Sequence, residues 1–301
     1  MKKSVNNMQT RREMLKKMAA GSLAAGAAAL PLTGLAGEIT ADKLKNNIHH
    51  SVCAWTYKFL TLEELCVVVK KIGFSAIDLL NPSEWPVVQK HGITCSMCYT
   101  AGKISLTEGW NRKENHGWLI KDFTEAIPLV AKAGYKNLIC FSGNRNGMDD
   151  ETGMKNCADG LKQIMSLAEK EGVTVQMELF NSKVNHKDYM ADKSAWGVAL
   201  CKMIGSPNFK LLYDIYHMQV NEGDVIRTIR EYHAYFGHYH TAGVPGRNEI
   251  DERQELYYPA IMKAILSTGY QGFVAQEFIP SDKEPKEKIA ALKKAVRICD
   301  V

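Results

Sequence analysis

The sequence predicts a single (β/α)8 barrel, and three observations carry that expectation. Short runs of strand character alternate with longer amphipathic runs eight times between residues 50 and 298. No connection between them is rich enough in Pro, Gly or Ser to mark a domain boundary, and the turn after the first unit lacks the G-x-G-x-x-G of an open, doubly wound sheet, the runner-up architecture. Four consecutive runs in the second half each end on a residue able to bind a divalent cation: VTVQMELF carries Glu178, FKLLYDIYH carries Asp214, GHYHTAG carries His240 and GFVAQEF carries Glu277. Their separations of 36, 26 and 37 residues match one strand, one helix and two loops of a parallel βαβ unit.

In chain order, residues 50–57 form the first strand and 62–72 the first helix, with Thr61 placed to cap it, Glu63 and Glu64 in its first turn and Gly73 to end it. Strands at 76–80 and 93–100 flank a short helix at 84–90. A long loop, 101–116, leads to a helix at 117–133, a strand at 137–142 and a helix at 150–171. The fifth strand spans 173–180, followed by a helix at 193–204, a strand from 209, a helix at 224–235 and a strand at 237–243. Pro259 suits the first turn of a helix at 258–267, and a strand at 272–278 and a helix at 286–298 close the series.

The parallel strand ends of such a barrel converge on one mouth, where these folds place their chemistry. Glu178, Asp214, His240 and Glu277 are therefore the expected metal ligands. Three carboxylates and one imidazole suit Mg²⁺ or Mn²⁺, and would also accept Co²⁺ or Zn²⁺. A glutamate at the end of a buried strand needs a cation or must stay protonated, because desolvation disfavours its charge; the structural alternative for Glu178 is an ion pair with Lys210. Glu178 and Glu277 are also the expected catalytic pair, moving a proton between the carbons of a hydroxy-carbonyl compound or to the opposite face of one carbon. His217, Arg247, Arg145 and His116 are the expected substrate-binding residues, the arginines for a carboxylate or hydroxyls. His238 reads as a satisfied core residue, and Trp55 and Tyr57 as pocket walls or apolar packing.

The first residues read differently. Thr10-Arg11-Arg12-Glu13-Met14-Leu15-Lys16 precedes an Ala-, Gly- and Leu-rich run to Leu35, the pattern of a twin-arginine export signal covering 1–36, with a polar linker at 37–48 and the catalytic barrel at 49–301. That run is too Gly-rich and too interrupted by Pro31 for a stable membrane span. Lys2, Lys3, Arg11, Arg12, Lys16 and Lys17 against Glu13 account for the whole formal net charge of +5, so the mature chain is near neutral and its charge gives no reason to expect nucleic acid as a partner. The expected destination is the periplasm or another exported location. The eight cysteines fall inside strand and helix runs, as buried structural thiols do. Cys95 and Cys98 form a C-x-x-C, but alternation along a strand would turn them to opposite faces.

From about His50 onward the chain resembles the hydroxypyruvate isomerase family, within the xylose-isomerase-like TIM barrel superfamily that also holds ketose 3-epimerases. The resemblance rests on CFSGNR (140–145), LLYDIYHMQVNEGD (211–224), GHYHTAGVPGRNEID (237–251), YPAIMKAI (258–265) and GYQGFVAQEFIP (269–280). It implies interconversion of hydroxypyruvate and 2-hydroxy-3-oxopropanoate through an enediolate, with Glu178 and Glu277 as both metal ligands and proton carriers and Asp214 as a further ligand. At the position of His240 some hydroxypyruvate isomerases carry Gln and the 3-epimerases carry His. The alternatives are an exported ketose 3-epimerase or sugar-acid isomerase, and a carbohydrate-binding barrel without catalysis. The expected partner is a small hydroxy-carbonyl molecule; self-association into a homo-oligomer stays open.

Overall fold

The computed structural model describes residues 43–301. The expected export signal and the first half of the expected linker lie outside the described residues. Among those described, no helix is long and apolar enough to cross a membrane.

Eight parallel strands close into a ring. Strands β1 (His49–Val52), β4 (Asn137–Cys140), β5 (Thr174–Glu178), β6 (Phe209–Asp214), β7 (Phe236–Thr241) and β8 (Phe273–Gln276) hydrogen-bond in the order β1-β8-β7-β6-β5-β4. The remaining two, β2 (Ala76–Ile77) and β3 (Thr94–Cys95), pair with each other. Single bridges complete the circle, Cys53 to Asp78 between β1 and β2 and Cys98 to Leu138 between β3 and β4. The fold is thus the expected (β/α)8 barrel, with β2 and β3 shorter than their apolar runs because only a few residues of each keep ladder geometry.

The helices form the outer layer: α1 (Leu62–Ile72), α2 (Trp85–Lys90), α3 (His116–Lys132), α4 (Asp150–Glu171), α5 (Ser194–Ile204), α6 (Ile215–Asn221), α7 (Val225–Tyr232), α8 (Tyr258–Ser267) and α9 (Pro285–Cys299). Thr61 and Glu64 close a full capping box at the start of α1, and Gly73 ends that helix at φ 109°, where an L side chain would be strained. Two elements depart from the sequence reading. Residues 54–57, expected as strand, form a 3-10 turn at the barrel mouth, with the Thr56 hydroxyl donating to the Cys53 carbonyl. Helix α6 was not expected; it starts directly at the end of β6 because the Asp214 carboxylate accepts from the His217 N–H and so caps it.

The core is aliphatic between strands and helices, with Val175, Leu211, Val274 and Ile265 fully buried. The inside of the barrel is partly polar instead, since Ser51, Ser96 and Gln176 are buried there beneath the mouth. All eight cysteines are buried free thiols. One expectation fails: Cys95 and Cys98 do not diverge, because strand alternation stops after Cys95, and their sulfurs lie 3.5 Å apart.

Candidate metal centre

Strand register assembles the site. Asp214 on β6 and His240 on β7 are direct cross-strand partners, Glu178 ends β5 and Glu277 follows β8. Side chains nearly a hundred residues apart thereby meet: one potential ligand atom from each of Glu178, Asp214, His240 and Glu277 lies within 4.8 Å of all the others, and all four residues are buried. Imidazole Nδ1 of His240 stands 3.1 Å from Glu178 Oε1 and 2.9 Å from Glu277 Oε2. The donor set fits a divalent ion, and Asp214 Oδ2 supports the fit: it is a buried carboxylate oxygen with no hydrogen-bond partner, its nearest cation being Arg247 at 3.7 Å. The alternative partner for Glu178 is absent, since Lys210 reaches outward to the Ala234 carbonyl at 2.6 Å.

Electrostatics divide the carboxylates. Burial, reinforced by the like charge of Glu277, pushes the Glu178 carboxyl up to about 7. Burial also raises Asp214, to about 8, against the pull of Arg247. Glu277 is equally buried, but Arg247 and His240 outweigh desolvation and hold it well below the usual carboxylate range. It accepts from Trp55 Nε1 at 2.8 Å and Arg247 Nη2 at 2.5 Å. For His240, burial disfavours the charge, yet Glu277 and further acidic neighbours raise the imidazole well above its ordinary value.

A layer beneath the four ligands escaped the sequence reading. Asp78, just after β2, is fully buried and its Oδ2 sits 2.7 Å from His240 Nε2, while its Oδ1 accepts from the Ser96 hydroxyl at 2.5 Å. An Nε2–H donated to Asp78 leaves Nδ1 as the lone-pair nitrogen that faces the two glutamates, the usual way a carboxylate orients a metal-binding histidine. Cys53 Sγ lies 3.9 Å from the same Nε2, so Cys53, Asp78 and His240 make a second cluster of potential ligands sharing the imidazole. His238 is not the satisfied core residue expected: it is buried with its Nε2 3.2 Å from Asp78 Oδ1, at an angle too poor for a hydrogen bond.

The expected substrate-binding residues separate into two groups. Arg247 and His217 lie at the centre. Arg247, at φ 62°, keeps a buried, unpartnered Nε–H, and its guanidinium packs over the Trp55 and Tyr216 rings at 5.3 and 5.8 Å. His217 is fully buried, takes 2.6 Å contact with Asn181 Nδ2 through Nδ1, and leaves Nε2 unpartnered. Burial, then Arg247, hold it neutral, well below its ordinary value. Arg145 and His116 stand apart. Arg145 gives its donors to the Tyr189 and Met190 carbonyls and to Asp150 and Asp192, so it ties the loop after β4 to the loop after β5. His116 bonds the Trp110 carbonyl at 2.9 Å at the start of α3.

Over residues 68–295 the chain matches the family described as xylose isomerase-like TIM barrel. It belongs to that family. Its curated relatives include a protein named putative hydroxypyruvate isomerase in Mus musculus, 26% identical over 75% of this chain and 87% of that one. Another, named 2-oxo-tetronate isomerase in Cupriavidus necator, is 37% identical over 38% of this chain and 43% of that one, so that alignment spans less than half of either. Among solved structures, one titled AP endonuclease, family 2 from Brucella melitensis superposes with TM-score 0.71 at 22% identity, over 81% of this chain and 97% of that one. A D-psicose 3-epimerase from Clostridium cellulolyticum superposes with TM-score 0.67 at 17% identity, over 84% and 100%. At such identities the structures establish the fold alone. Membership of the xylose isomerase-like family, with relatives named as isomerases, sets this chain among isomerase-type enzymes.

Proposed function

We propose that this chain is a metal-dependent isomerase of a small 2-hydroxy-carbonyl acid, interconverting hydroxypyruvate and 2-hydroxy-3-oxopropanoate, exported by the twin-arginine route. The observation that carries the reading is geometric: two buried glutamates flank one imidazole, with Glu178 Oε1 3.1 Å and Glu277 Oε2 2.9 Å from His240 Nδ1. Two carboxyls on either side of one centre can serve as acid and base in turn.

A divalent ion, Mg²⁺ or Mn²⁺ by the donor chemistry, held by Glu178, Asp214, His240 and Glu277 would supply Lewis acidity toward the carbonyl and hydroxyl oxygens of the substrate. Glu277 takes up the proton leaving C3 of hydroxypyruvate, while a proton drawn from solvent is delivered to C2 through Glu178; the hydroxyl proton passes from the oxygen on C3 to the oxygen on C2, and the reverse reaction exchanges the roles. Arg247, whose Nη2 donates to Glu277 and whose buried Nε–H has no partner, would be the group that grips the substrate carboxylate. All four ligands are buried, so the centre they form is screened from bulk water.

A second reading, a ketose 3-epimerase, is favoured by His240 in the ligand set. In that reaction the two glutamates work on opposite faces of one carbon. The test is a panel assay of hydroxypyruvate, 2-oxo-tetronate and free ketoses with metal-stripped and Mn²⁺- or Mg²⁺-reloaded protein. Metal-dependent turnover of the acids supports the isomerase; turnover of ketoses alone supports the epimerase, and no turnover of either class removes both.

A further inference from the structure

Next to the metal centre, at the ends of β1, β2 and β3, lies a cavity of about 550 Å³ whose walls include Trp55, Tyr57, Leu62, Leu79, Asn81 and Tyr99. Trp55 is shared by the two, its ring lining the cavity while its Nε1–H donates to Glu277. Tyr99 faces both as well, for Glu178 and Glu277 are among the charges acting on its phenol.

A three-carbon acid fills only a corner of such a space, which falls in the range of about 300–1,000 Å³ that encloses far larger ligands. A further feature points to an occupant. Leu79 is held at φ 60°, in the left-handed region that a leucine enters only under constraint, and such strain gathers where a ligand is clamped. The walls are aromatic and aliphatic, and the rim is polar: Lys58 has no ion-pair partner among the described residues, and Asn81 is braced by its bond to Glu84 at 3.0 Å. Flat aromatic walls with a hydrogen-bonding rim match a sugar ring, which offers a C–H face to the former and hydroxyls to the latter.

We propose that the cavity seats the distal part of the substrate and that this part is a pyranose-sized, polyhydroxylated ring. Beside the small acids, the site then takes a second substrate class, a ring-bearing hydroxy-carbonyl compound such as a glycosylated ketose or sugar acid, with its reacting carbons at the metal centre and its ring against Trp55. This inference rests on the proton-transfer reading of that centre.

The test compares the Mn²⁺-loaded full chain on hydroxypyruvate, on D-fructose and on maltulose, a ketose bearing a glucopyranosyl group. The inference expects kcat/KM for maltulose to exceed that for D-fructose by at least about tenfold, and expects Leu62→Trp, which grows into the cavity, to lower that ratio by about tenfold or more. A ratio near one in the natural protein overturns it, as does a ratio that Leu62→Trp leaves unmoved. Independently of any variant, methyl α-glucopyranoside should change the tryptophan fluorescence saturably, and a flat titration together with a ratio near one has the same overturning force. The two failures are distinguishable: hydroxypyruvate turned over with no preference for maltulose removes only the cavity's role, whereas no turnover of any of the three compounds removes the underlying reading as well.

Discussion

Loading the metal-free protein with Mn²⁺ at pH 7 should expel protons, because three of the four expected ligands have raised proton affinity. A group raised to about 7 is half protonated at pH 7 and one raised to about 8 is mostly protonated, and these are Glu178 and Asp214. His240, raised above its ordinary value chiefly by Glu277, adds its Nδ1 proton to the count wherever it is protonated. The two carboxyls alone release roughly one to two protons per ion at pH 7, falling toward none at pH 9, where both are already ionised. The sign follows directly: affinity climbs with pH across this window, because each raised pKa puts a proton in competition with the ion. Isothermal calorimetry in two buffers of different ionisation heat counts the protons, since the difference in observed heat is proportional to the number released. Zero release at pH 7, or a number unchanged between pH 7 and pH 9, would refute the assignment of these groups as the ligands.

Three further outcomes follow from individual residues. Glu178→Gln and Glu277→Gln should each reduce kcat by about a thousandfold or more while leaving the circular dichroism spectrum unchanged; a rate near the natural protein's in either variant removes that residue from the proton transfer. Asp78→Asn should weaken Mn²⁺ binding by about 10–100-fold, measured by competition with a chelator, because the imidazole loses the carboxylate that orients it. An unchanged dissociation constant would make Asp78 a packing residue only. Thr61→Ala should cost about 1 kcal/mol in urea unfolding by opening the capping box of α1, with the Mn²⁺ affinity unmoved.

How much of this was legible in the sequence depends on the range of the interaction concerned. The barrel and the four ligands could be read because each ligand sits at the end of its own apolar strand run, and parallel closure does the rest. Asp78 obeys the same rule, an acid at the end of β2, but the apolar run to residue 80 carries the expected strand past it and leaves Asp78 in mid-strand, whereas the strand ends at Ile77. Helix α6 was likewise signalled by Asp214 three residues before His217, a capping spacing hidden by the stronger reading of both as site residues. Arg145 shows the opposite limit. Its position after β4 placed it near the mouth, but which carbonyls and carboxylates would claim its guanidinium depended on how the loop holding Tyr189, Met190 and Asp192 folds back, and no local pattern encodes that contact. The closeness of Cys95 and Cys98 is of the same kind, since alternation predicts direction only while a strand remains regular. The sequence reading of an export signal at 1–36 lies outside the described residues.

The account turns on proton transfer between two carbons by a pair of glutamates, and running the reaction in deuterated water tests it most directly. Hydroxypyruvate incubated with the Mn²⁺-loaded chain in D₂O should yield 2-hydroxy-3-oxopropanoate bearing solvent deuterium at C2 from the first turnovers, faster than in a control without protein. Product that carries at C2 the hydrogen originally on C3, with no deuterium gained, would contradict the two-glutamate transfer.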